Sequence, residues 1–412
     1  MTNDLVPTYH SHIPAVAAEL AEHGSIGMMV VDASSLTQIE EEYGHAAFED
    51  VRGRVEQTLR DHAGREHRKG DVWVVDEPGG MRFVLFLERK RRKSLPLAPA
   101  DFNTLRRRLL ASVVPHIERA CFPFLRLAPR IDVAHGLALH NPLLSPEHII
   151  RQALSDATVA AAHLRAAEDL EIRERLQDLI VRQRIVTAFQ PILLLRDRAV
   201  LGFEGLSRGA RGTGFHTADE VFGAAARHGL SVELDRLCRT RALLSSGRLP
   251  SNARLFVNTL PSTIHDPEFR GKPLIDFLDK AQVSPDRIVI EITEKLVIQN
   301  YAMFREAMGY FRDLGMSFAV DDVGAGYSGL EAIARLKPDF LKIDIALVRE
   351  CHANAIHRAM IQAIIAISRE INATVIAEGI AHKEEADALE RMGIDFGQGF
   401  HLARPDPGPD QA

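Results

Sequence analysis

The sequence predicts an α/β protein in which a TIM-like (β/α) barrel follows a smaller α/β domain. The first observation is length, because 412 residues exceed what one hydrophobic core usually organises. The second is a change of rhythm: from about residue 189 onward, eight short apolar segments alternate with helical stretches over about 220 residues. That alternation is typical of a closed α/β barrel.

The first half is predicted to be a mixed α/β domain. Its strand-like runs are residues 26–32, 72–75, 83–87 and 131–139, and its helical stretches are residues 35–43, 46–62, 102–121 and 146–166. A helical segment with interleaved acids and bases follows at 168–184, which is typical of a connecting helix. We therefore divide the chain into a leader helix (1–24), a first domain (25–166), a connecting helix (167–186) and a second domain (187–412).

The strand-like runs of the second half are short and apolar. The first begins at about residue 189, and the other seven lie at 199–203, 255–258, 288–292, 318–321, 340–343, 374–377 and 396–401. Helical stretches lie at 218–245, 301–314, 353–371 and 383–392. The sequence shows no internal repeat of 20–50 residues. This disfavours solenoids and propellers and leaves the barrel as the predicted fold.

Composition and charge exclude several classes of protein. The chain is 46% hydrophobic and 26% charged, as globular proteins are, and its net charge of −6 disfavours a globally basic nucleic-acid binder, so no DNA partner is expected. Cys121, Cys238 and Cys351 are isolated, which favours a reducing compartment. The sequence shows no signal peptide and no apolar run of about 20 residues, so we expect a cytoplasmic protein without membrane insertion.

Nearly every strand-like run of the second half ends in an ionisable or amide side chain. These residues are Glu204, Asn258, Glu291, Asp321, Asp322, Lys342, Asp344, Glu378 and Gln398. In an α/β barrel the C-terminal strand ends open onto one face, so we expect these side chains to converge. One carboxylate at a strand end is usually a helix cap, but five or six on one rim would repel one another unless cations neutralised them.

Such a rim predicts a site for hard divalent cations. Oxygen ligands without His or Cys favour Mg²⁺ or Mn²⁺, and a carboxylate shared by two such ions is typical of phosphodiester hydrolysis. Lys342 would orient or deprotonate a water, or stabilise phosphate charge. Two alternatives stay open at this point: proton abstraction next to a carboxylate, which also uses a lysine and Mg²⁺ in barrels, and a rim of solvated caps without chemistry.

The local motifs of the second half resemble those of the EAL domain, a family of cyclic di-GMP phosphodiesterases. In chain order they are FQPI (189–192), EGLSR (204–208), VN (257–258), EITE (291–294), DDVGAGYS (321–328), KID (342–344), AEG (377–379) and QGF (398–400). The resemblance covers about residues 179–405. It implies hydrolysis of cyclic di-GMP to linear 5′-pGpG with two Mg²⁺ or Mn²⁺ ions per barrel, and it is compatible with a homodimer through this domain.

The resemblance also implies roles for individual residues. Five look like metal ligands: Glu204, Asn258, Glu291 and Asp321 for one ion, and Asp321 with Asp322 for the second. Four fall where the family contacts the dinucleotide: Gln190, Leu206, Arg208 and Gln398. Glu378 resembles a further ligand or a water-orienting base, Lys342 the lysine that positions the attacking water, and Glu294 the glutamate that supports the glycine-bearing loop 322–328.

Two positions depart from the family pattern. Gly205 replaces the alanine of the name-giving triplet, and Val323 replaces the aromatic residue after the two aspartates. Neither change removes a metal or water ligand, so we expect an enzyme. The alternative is a non-hydrolysing cyclic di-GMP receptor, which in this family usually lacks metal ligands.

The first half resembles the GGDEF, or diguanylate cyclase, domain less closely. Residues 30–45 fit its first strand and helix, and GGMRF (79–83) falls at its signature hairpin. Met81 and Arg82 stand where acids for metal and substrate are expected, and Glu40 stands where a guanine-reading asparagine is expected. Asp32 keeps one metal-binding position. We therefore predict a degenerate, non-catalytic and regulatory domain.

Overall fold

The computed structural model describes residues 6–66, 71–87, 99–122, 124–125, 129–260, 266–293, 301–324 and 329–407. The chain divides into two compact units, Met1–Leu170 and Glu171–Ala412. Within the described ranges, no helix combines the length and the apolar character that crossing a membrane requires.

The first unit is built on a four-stranded antiparallel sheet. In chain order its elements are α1 (Tyr9–His23), β1 (Ser25–Asp32), α2 (Gln38–Tyr43), α3 (His45–Glu66), β2 (Val72–Val75), β3 (Arg82–Leu87), α4 (Pro99–Ser112), α5 (Val114–Ala120), β4 (Asp132–Leu139) and α6 (Pro146–Val181). The strand order is β2-β3-β1-β4, and β1 is antiparallel to both of its neighbours. Strand β1 is therefore central.

Both faces of this sheet are covered, which explains why β1 is an almost uninterrupted apolar run. Met29 and Val31 pack with helices α3, α4 and α5, whereas Met28 and Val30 pack with α1 and the first turns of α6. The strands lie within one residue of their predicted positions. The predicted helix 146–166 and the predicted connecting segment form one continuous helix that ends at Val181.

The second unit is an eight-stranded closed barrel. Its elements are β5 (Ile185–Leu194), β6 (Val200–Gly209), α7 (Ala218–His228), α8 (Ser231–Ser245), β7 (Arg254–Asn258), α9 (Gly271–Ala281), β8 (Ile288–Thr293), α10 (Tyr301–Asp313), β9 (Ser317–Val323), α11 (Gly329–Leu336), β10 (Phe340–Ile343), α12 (Ile345–Val348), α13 (Ala355–Ile371), β11 (Thr374–Ala377), α14 (Lys383–Met392) and β12 (Phe396–Gly397). The barrel closes in the order β10-β11-β12-β5-β6-β7-β8-β9. The predicted barrel is confirmed.

Strand β5 runs against the rest of the barrel. It pairs antiparallel with both β6 and β12, whereas the other neighbouring strands are parallel. Gln190 consequently reaches the rim from the middle of its strand, opposite Glu204, and not from a C-terminal strand end.

The helical stretch predicted at 218–245 is two helices. A capping box begins α7, because the Thr217 side chain accepts from the Glu220 N–H while the Glu220 carboxylate accepts from the Thr217 N–H. Gly229 ends α7 with a φ of 67°, a left-handed conformation that glycine adopts without steric cost. Helix α8 then starts at Ser231.

Candidate metal centre

The alternation of side chains along the barrel strands explains why the polar rim residues meet. At five strands, an apolar residue in the barrel interior is followed two positions later by a polar residue on the same face. The pairs are Phe256 and Asn258, Val289 and Glu291, Ala319 and Asp321, Phe340 and Lys342, and Ile376 and Glu378. The barrel interior is thus apolar in the layer of Phe256, Val289, Ala319, Phe340 and Ile376, and polar at the C-terminal ends of these strands.

Lys342 lies at the centre of this rim and is completely buried. Its Nζ is 2.6 Å from Glu378 Oε1, 2.7 Å from Glu291 Oε1, 3.2 Å from Glu204 Oε2 and 3.4 Å from Asp321 Oδ1. One ammonium group therefore contacts four carboxylates. A single positive charge cannot neutralise all of them.

Amide side chains orient Glu204. Asn258 Nδ2 donates to Glu204 Oε1 (2.8 Å), and Gln398 Nε2 donates to Glu204 Oε2 (2.8 Å). Gln398 Nε2 also donates to Gln190 Oε1 (2.9 Å), and Gln190 Nε2 donates to the Ala403 carbonyl (3.0 Å). Because the Asn258 amide nitrogen donates to Glu204, the Asn258 Oδ1 remains available as a metal ligand.

The end of β9 carries two adjacent aspartates. Asp322 has a φ of 58°, a left-handed conformation that aspartate tolerates better than most residues. One ligand atom from each of Asp321, Asp322 and Glu378 lies within 4.8 Å of the other two. This spacing suits a shared cation, and Asp321 belongs both to this group and to the Lys342 cluster.

The pKa values record the excess of negative charge. Burial, with the nearby Glu204 and Asp321 carboxylates, raises the pKa of Glu291 well above its ordinary value despite Lys342. Burial and Asp321 raise the pKa of Glu378 in the same way. Burial, Asp321 and Asp344 raise the pKa of Asp322 to about 6.

Two groups of the cluster are held in their charged forms. Burial alone would raise the pKa of Glu204, but Lys342 and the two amide donors outweigh it and lower that pKa. Burial likewise disfavours charge on Lys342, but the surrounding carboxylates raise its pKa well above the ordinary value.

The residues present fit divalent cations. Among the described residues, Glu291 Oε2 is a buried carboxylate oxygen with no hydrogen-bond partner, which is costly unless a cation or proton binds there. The available donors are carboxylate and amide oxygens, which suit Mg²⁺ or Mn²⁺. The raised pKa values of Glu291 and Glu378 mean that burial and neighbouring carboxylates disfavour their ionised forms, and a divalent cation would favour those forms.

Two cavities adjoin this candidate metal centre, and Glu204 lines both. The first, about 300 Å³, also contains Gln190, Gln398, Arg349 and the exposed ring of Phe400. Of the residues expected to contact a dinucleotide, two therefore line this cavity. Sequence reasoning missed Arg349 and Phe400, although an aromatic residue inside the QGF motif was a signal for the latter.

The second cavity, about 360 Å³, contains Leu206 together with residues that sequence reasoning did not select, among them Phe222 and Asp235. Arg208 is exposed on β6 and is not among the residues that line either cavity. The structure thus brings together ten of the twelve predicted ligand, catalytic and contact residues, and Arg208 is not among them. The twelfth, Glu294, lies outside the described residues, as do residues 325–328, so the predicted support of the loop by Glu294 stays a prediction.

The two departures from the family pattern are both accommodated. Val323 is buried and pairs in register with Ile343. A Cβ on Gly205 would lie 3.2 Å from the Ala242 Cβ, so Gly205 lets α8 approach β6 closely. Neither position changes the ligand set.

Comparison with known proteins places these features in a family. The family model described as EAL domain matches residues 173–405. The bifunctional diguanylate cyclase/cyclic di-GMP phosphodiesterase MucR of Pseudomonas aeruginosa is 24% identical over 418 residues, which cover 95% of this chain and 57% of MucR. The cyclic di-GMP phosphodiesterase PdeR of Escherichia coli is 25% identical over 410 residues, which cover 94% of this chain and 58% of PdeR. The chain spans a little over half the length of these relatives.

Solved structures support the barrel fold. A PaMucR phosphodiesterase in complex with cyclic di-GMP is 24% identical, with a TM-score of 0.52, and the match covers 58% of this chain and 98% of that one. The EAL domain of Xanthomonas citri FimX in complex with cyclic di-GMP is 18% identical, with a TM-score of 0.54, and covers 61% of this chain and 100% of that one.

Proposed function

The chain belongs to the EAL domain family, and from this premise we propose that it hydrolyses cyclic di-GMP to linear 5′-pGpG with two divalent cations. One observation carries the proposal: Lys342 Nζ lies within 3.4 Å of four carboxylates, so the rim keeps an excess of negative charge. The names of relatives such as PdeR and NbdA, both cyclic di-GMP phosphodiesterases, support the same substrate.

The rim residues would form two metal sites that share Asp321. Glu204, Asn258, Glu291 and Asp321 would hold one ion, and Asp321 with Asp322 the other. When bound, such ions supply Lewis acidity and lower the pKa of a water. We propose Mg²⁺ or Mn²⁺, in line with the oxygen ligands.

Lys342 and Glu378 would position the attacking water and accept its proton. Lys342 would orient the water whose oxygen attacks phosphorus, and Glu378 would orient that water or accept its proton. The new bond joins this oxygen to phosphorus, the bond from phosphorus to the 3′ oxygen breaks, and the 3′ oxygen gains a proton. Glu294 would support the loop that follows Asp322.

The two cavities support a ligand with two similar halves. Gln190 and Gln398 border one cavity and Leu206 the other, with Glu204 between them. The exposed ring of Phe400 offers a stacking surface for a base, and Arg349 offers a guanidinium. Arg208 would act from outside these cavities.

The first half is proposed to be a regulatory GGDEF-like domain without cyclase activity. Arg82 donates to Asp32 Oδ2 through Nε (3.2 Å) and to Asp76 Oδ2 through Nη1 (3.1 Å), so the retained aspartate already has a cation. The bifunctional name of MucR, which matches 95% of the chain, supports the relationship.

Two broader expectations belong to this proposal. The described structure has three free, buried cysteines (Cys121, Cys238 and Cys351), which suit a cytoplasmic enzyme. A homodimer through the barrel domain is the expected assembly, and light scattering of the pure protein measures it.

The test is chromatography of cyclic di-GMP incubated with the pure chain and Mg²⁺ or Mn²⁺. We expect 5′-pGpG to form, and Glu291→Gln to lower the rate by orders of magnitude because the buried ligand loses its charge. The control is Glu370→Gln, an exposed glutamate of α13, which should leave the rate unchanged. Binding of cyclic di-GMP without product would contradict hydrolysis and favour the receptor alternative.

A further inference from the structure

Arg239 is a charged side chain buried inside the second unit, and it is not one of the residues that contact Lys342. It lies on α8 and is 1% exposed. Its Nε is 2.8 Å from Asp235 Oδ2, and its Nη2 is 3.1 Å from Asp266 Oδ2. Its guanidinium carbon is 4.2 Å from the centre of the Phe269 ring. The guanidinium therefore joins two buried carboxylates and is covered by an aromatic face.

Each of these carboxylates also holds the backbone. Asp235 Oδ1 accepts from the Leu260 N–H (3.0 Å). Asp266 Oδ1 accepts from the Glu268 N–H (3.0 Å) and caps the short helical turn Pro267–Phe269. Leu260 and Asp266 are the described residues on either side of segment 261–265. Arg239 thus connects α8 to the chain at both of these points.

This connection lies two residues from the proposed ligand Asn258. The chain leaves β7 at Asn258, the Thr259 N–H donates to the Glu291 carbonyl (2.9 Å), and the Leu260 N–H donates to Asp235. The Asn258 side chain is exposed. The direction in which Asn258 Oδ1 points therefore depends on how the backbone after it is held, together with the hydrogen bond from its Nδ2 to Glu204.

We propose that Arg239 is a positioning residue for the first metal site: it fixes Asp235, which fixes Leu260 and thereby the orientation of Asn258. The inference rests on the proposed function, since it assigns Asn258 as a ligand. Without Arg239, Asp235 loses this ion pair inside the protein, which would weaken the hold of Asp235 on the Leu260 N–H. Supporting residues of this kind typically change metal affinity by about 10- to 100-fold.

Arg236 provides a matched control on the same helix. It binds Asp266 through two hydrogen bonds, each 2.9 Å, and its Nη1 is 3.0 Å from Glu268 Oε1. Arg236→Met and Arg239→Met each remove one cation from Asp266, but only Arg239→Met removes the cation bound to Asp235. A role that acts only through the shared partner Asp266 predicts similar effects of the two changes on Mn²⁺ binding.

The measurement is Mn²⁺ binding by electron paramagnetic resonance, with no substrate present, followed by the Mn²⁺ dependence of kcat. We expect Arg239→Met to weaken Mn²⁺ binding by about 10-fold, with kcat largely restored at saturating Mn²⁺. Arg236→Met should stay within about twofold of the unchanged chain. Arg239→Lys keeps the charge but not the planar guanidinium that spans both carboxylates. Its Mn²⁺ affinity should lie between those of Arg239→Met and Arg236→Met.

Thermal unfolding without metal checks that each variant folds. Equal weakening by Arg239→Met and Arg236→Met, or no weakening by either, overturns the inference. Should Arg239→Met fail to fold, Arg239→Lys decides, and Mn²⁺ binding like that of the unchanged chain overturns the inference as well. An unchanged chain that binds no Mn²⁺ and hydrolyses nothing contradicts the proposed function itself, which is a separate result.

Discussion

The barrel and the antiparallel sheet both place carboxylates at the ends of buried strands, but they balance charge differently. In the barrel, Lys342 is the one cation among four carboxylates that it contacts. In the sheet, Arg82 lies between two, Asp32 and Asp76. Counted as ionised groups, the first arrangement has three negative charges in excess and the second has one.

The pKa values separate the two regions in the same way. Burial resists ionisation of Asp32, but hydrogen bonds from Ser34 and the Arg82 guanidinium outweigh it and lower its pKa. At the barrel rim, burial and like charges raise the pKa of Glu291 and Glu378 instead. Local charge balance, and not the presence of an aspartate at a strand end, thus decides which region is suited to divalent cations.

Removal of divalent metal should have the largest effect on hydrolysis, and metal-induced stabilisation should depend on barrel residues and not on the sheet. We expect EDTA to abolish hydrolysis, and Mn²⁺ at 100 times its Kd to stabilise the folded chain by about 2.7 kcal/mol. The measurement is thermal unfolding with and without Mn²⁺. Asp321→Asn should reduce the Mn²⁺-induced shift in Tm, and Asp32→Ala should not. A shift that depends on Asp32 would place a metal in the sheet and break the comparison.

The second largest effect should come from Lys342→Met. We expect kcat to fall by about 10³-fold, because the ammonium group that positions the attacking water is lost. Its carboxylate neighbours remain, so Mn²⁺ should still bind and raise Tm. The control is Lys383→Met, since Lys383 is an exposed lysine paired with Asp387 and should not affect the rate. Turnover within tenfold of the unchanged chain would remove Lys342 from the proposed chemistry.

Arg82→Met should destabilise the first unit by about 1 kcal/mol at pH 7, a modest value because Arg82 is about one third exposed. The folded pKa of Asp32 is lowered, so the ion pair stabilises above the unfolded pKa of about 3.9 and is lost as pH falls through the folded pKa. The penalty should therefore shrink below about pH 4. Trp73, the chain's one tryptophan, lies on β2 beside β3 and reports urea unfolding by fluorescence.

The control for Arg82 is Arg107→Met, an exposed arginine of α4 that should change stability little. If Arg82→Met costs the same at pH 7 and pH 3.5, packing and not charge explains the effect. The two regions would then differ less in electrostatics than the distances indicate.

The smallest expected signal is synthesis of cyclic di-GMP from GTP. Met81 and Arg82 stand where the signature hairpin of the cyclase family carries acids, so we expect no product. The assay uses the full chain carrying Asp321→Asn, so that any product escapes hydrolysis, and chromatography detects it. Metal-dependent product that disappears on Asp32→Ala would show that the first half retains catalysis.

Much of the barrel rim could be predicted because two simple rules coincide there. Side chains alternate along a strand, and parallel strands end at one face, so Asn258, Glu291 and Asp321 converge whatever their separation in sequence. Strand direction was not predictable in the same way. The run that contains Gln190 reads as an apolar strand in either direction, and only its pairing with β6 and β12 shows that it is reversed.

Arg239 illustrates the other limit. From sequence, an arginine on a helix rich in charged residues is expected at the surface. The burial of Arg239 follows from its contact with Asp266, which is 27 residues away in the chain.

Gly229 shows a local limit of prediction, since one glycine within a helical pattern is compatible with a continuous helix. Here its left-handed conformation ends α7.

Glu204 lines both cavities beside the candidate metal centre, so under the proposed function the two cavities would form a bivalent site. A molecule with two linked heads would place one in each cavity, and binding of the first would present the second at a high effective concentration. A single head gains no such advantage and should bind about 10²- to 10⁴-fold more weakly than the linked pair. Guanosine monophosphate would accordingly be a poor competitor even at concentrations far above those of the cyclic dinucleotide.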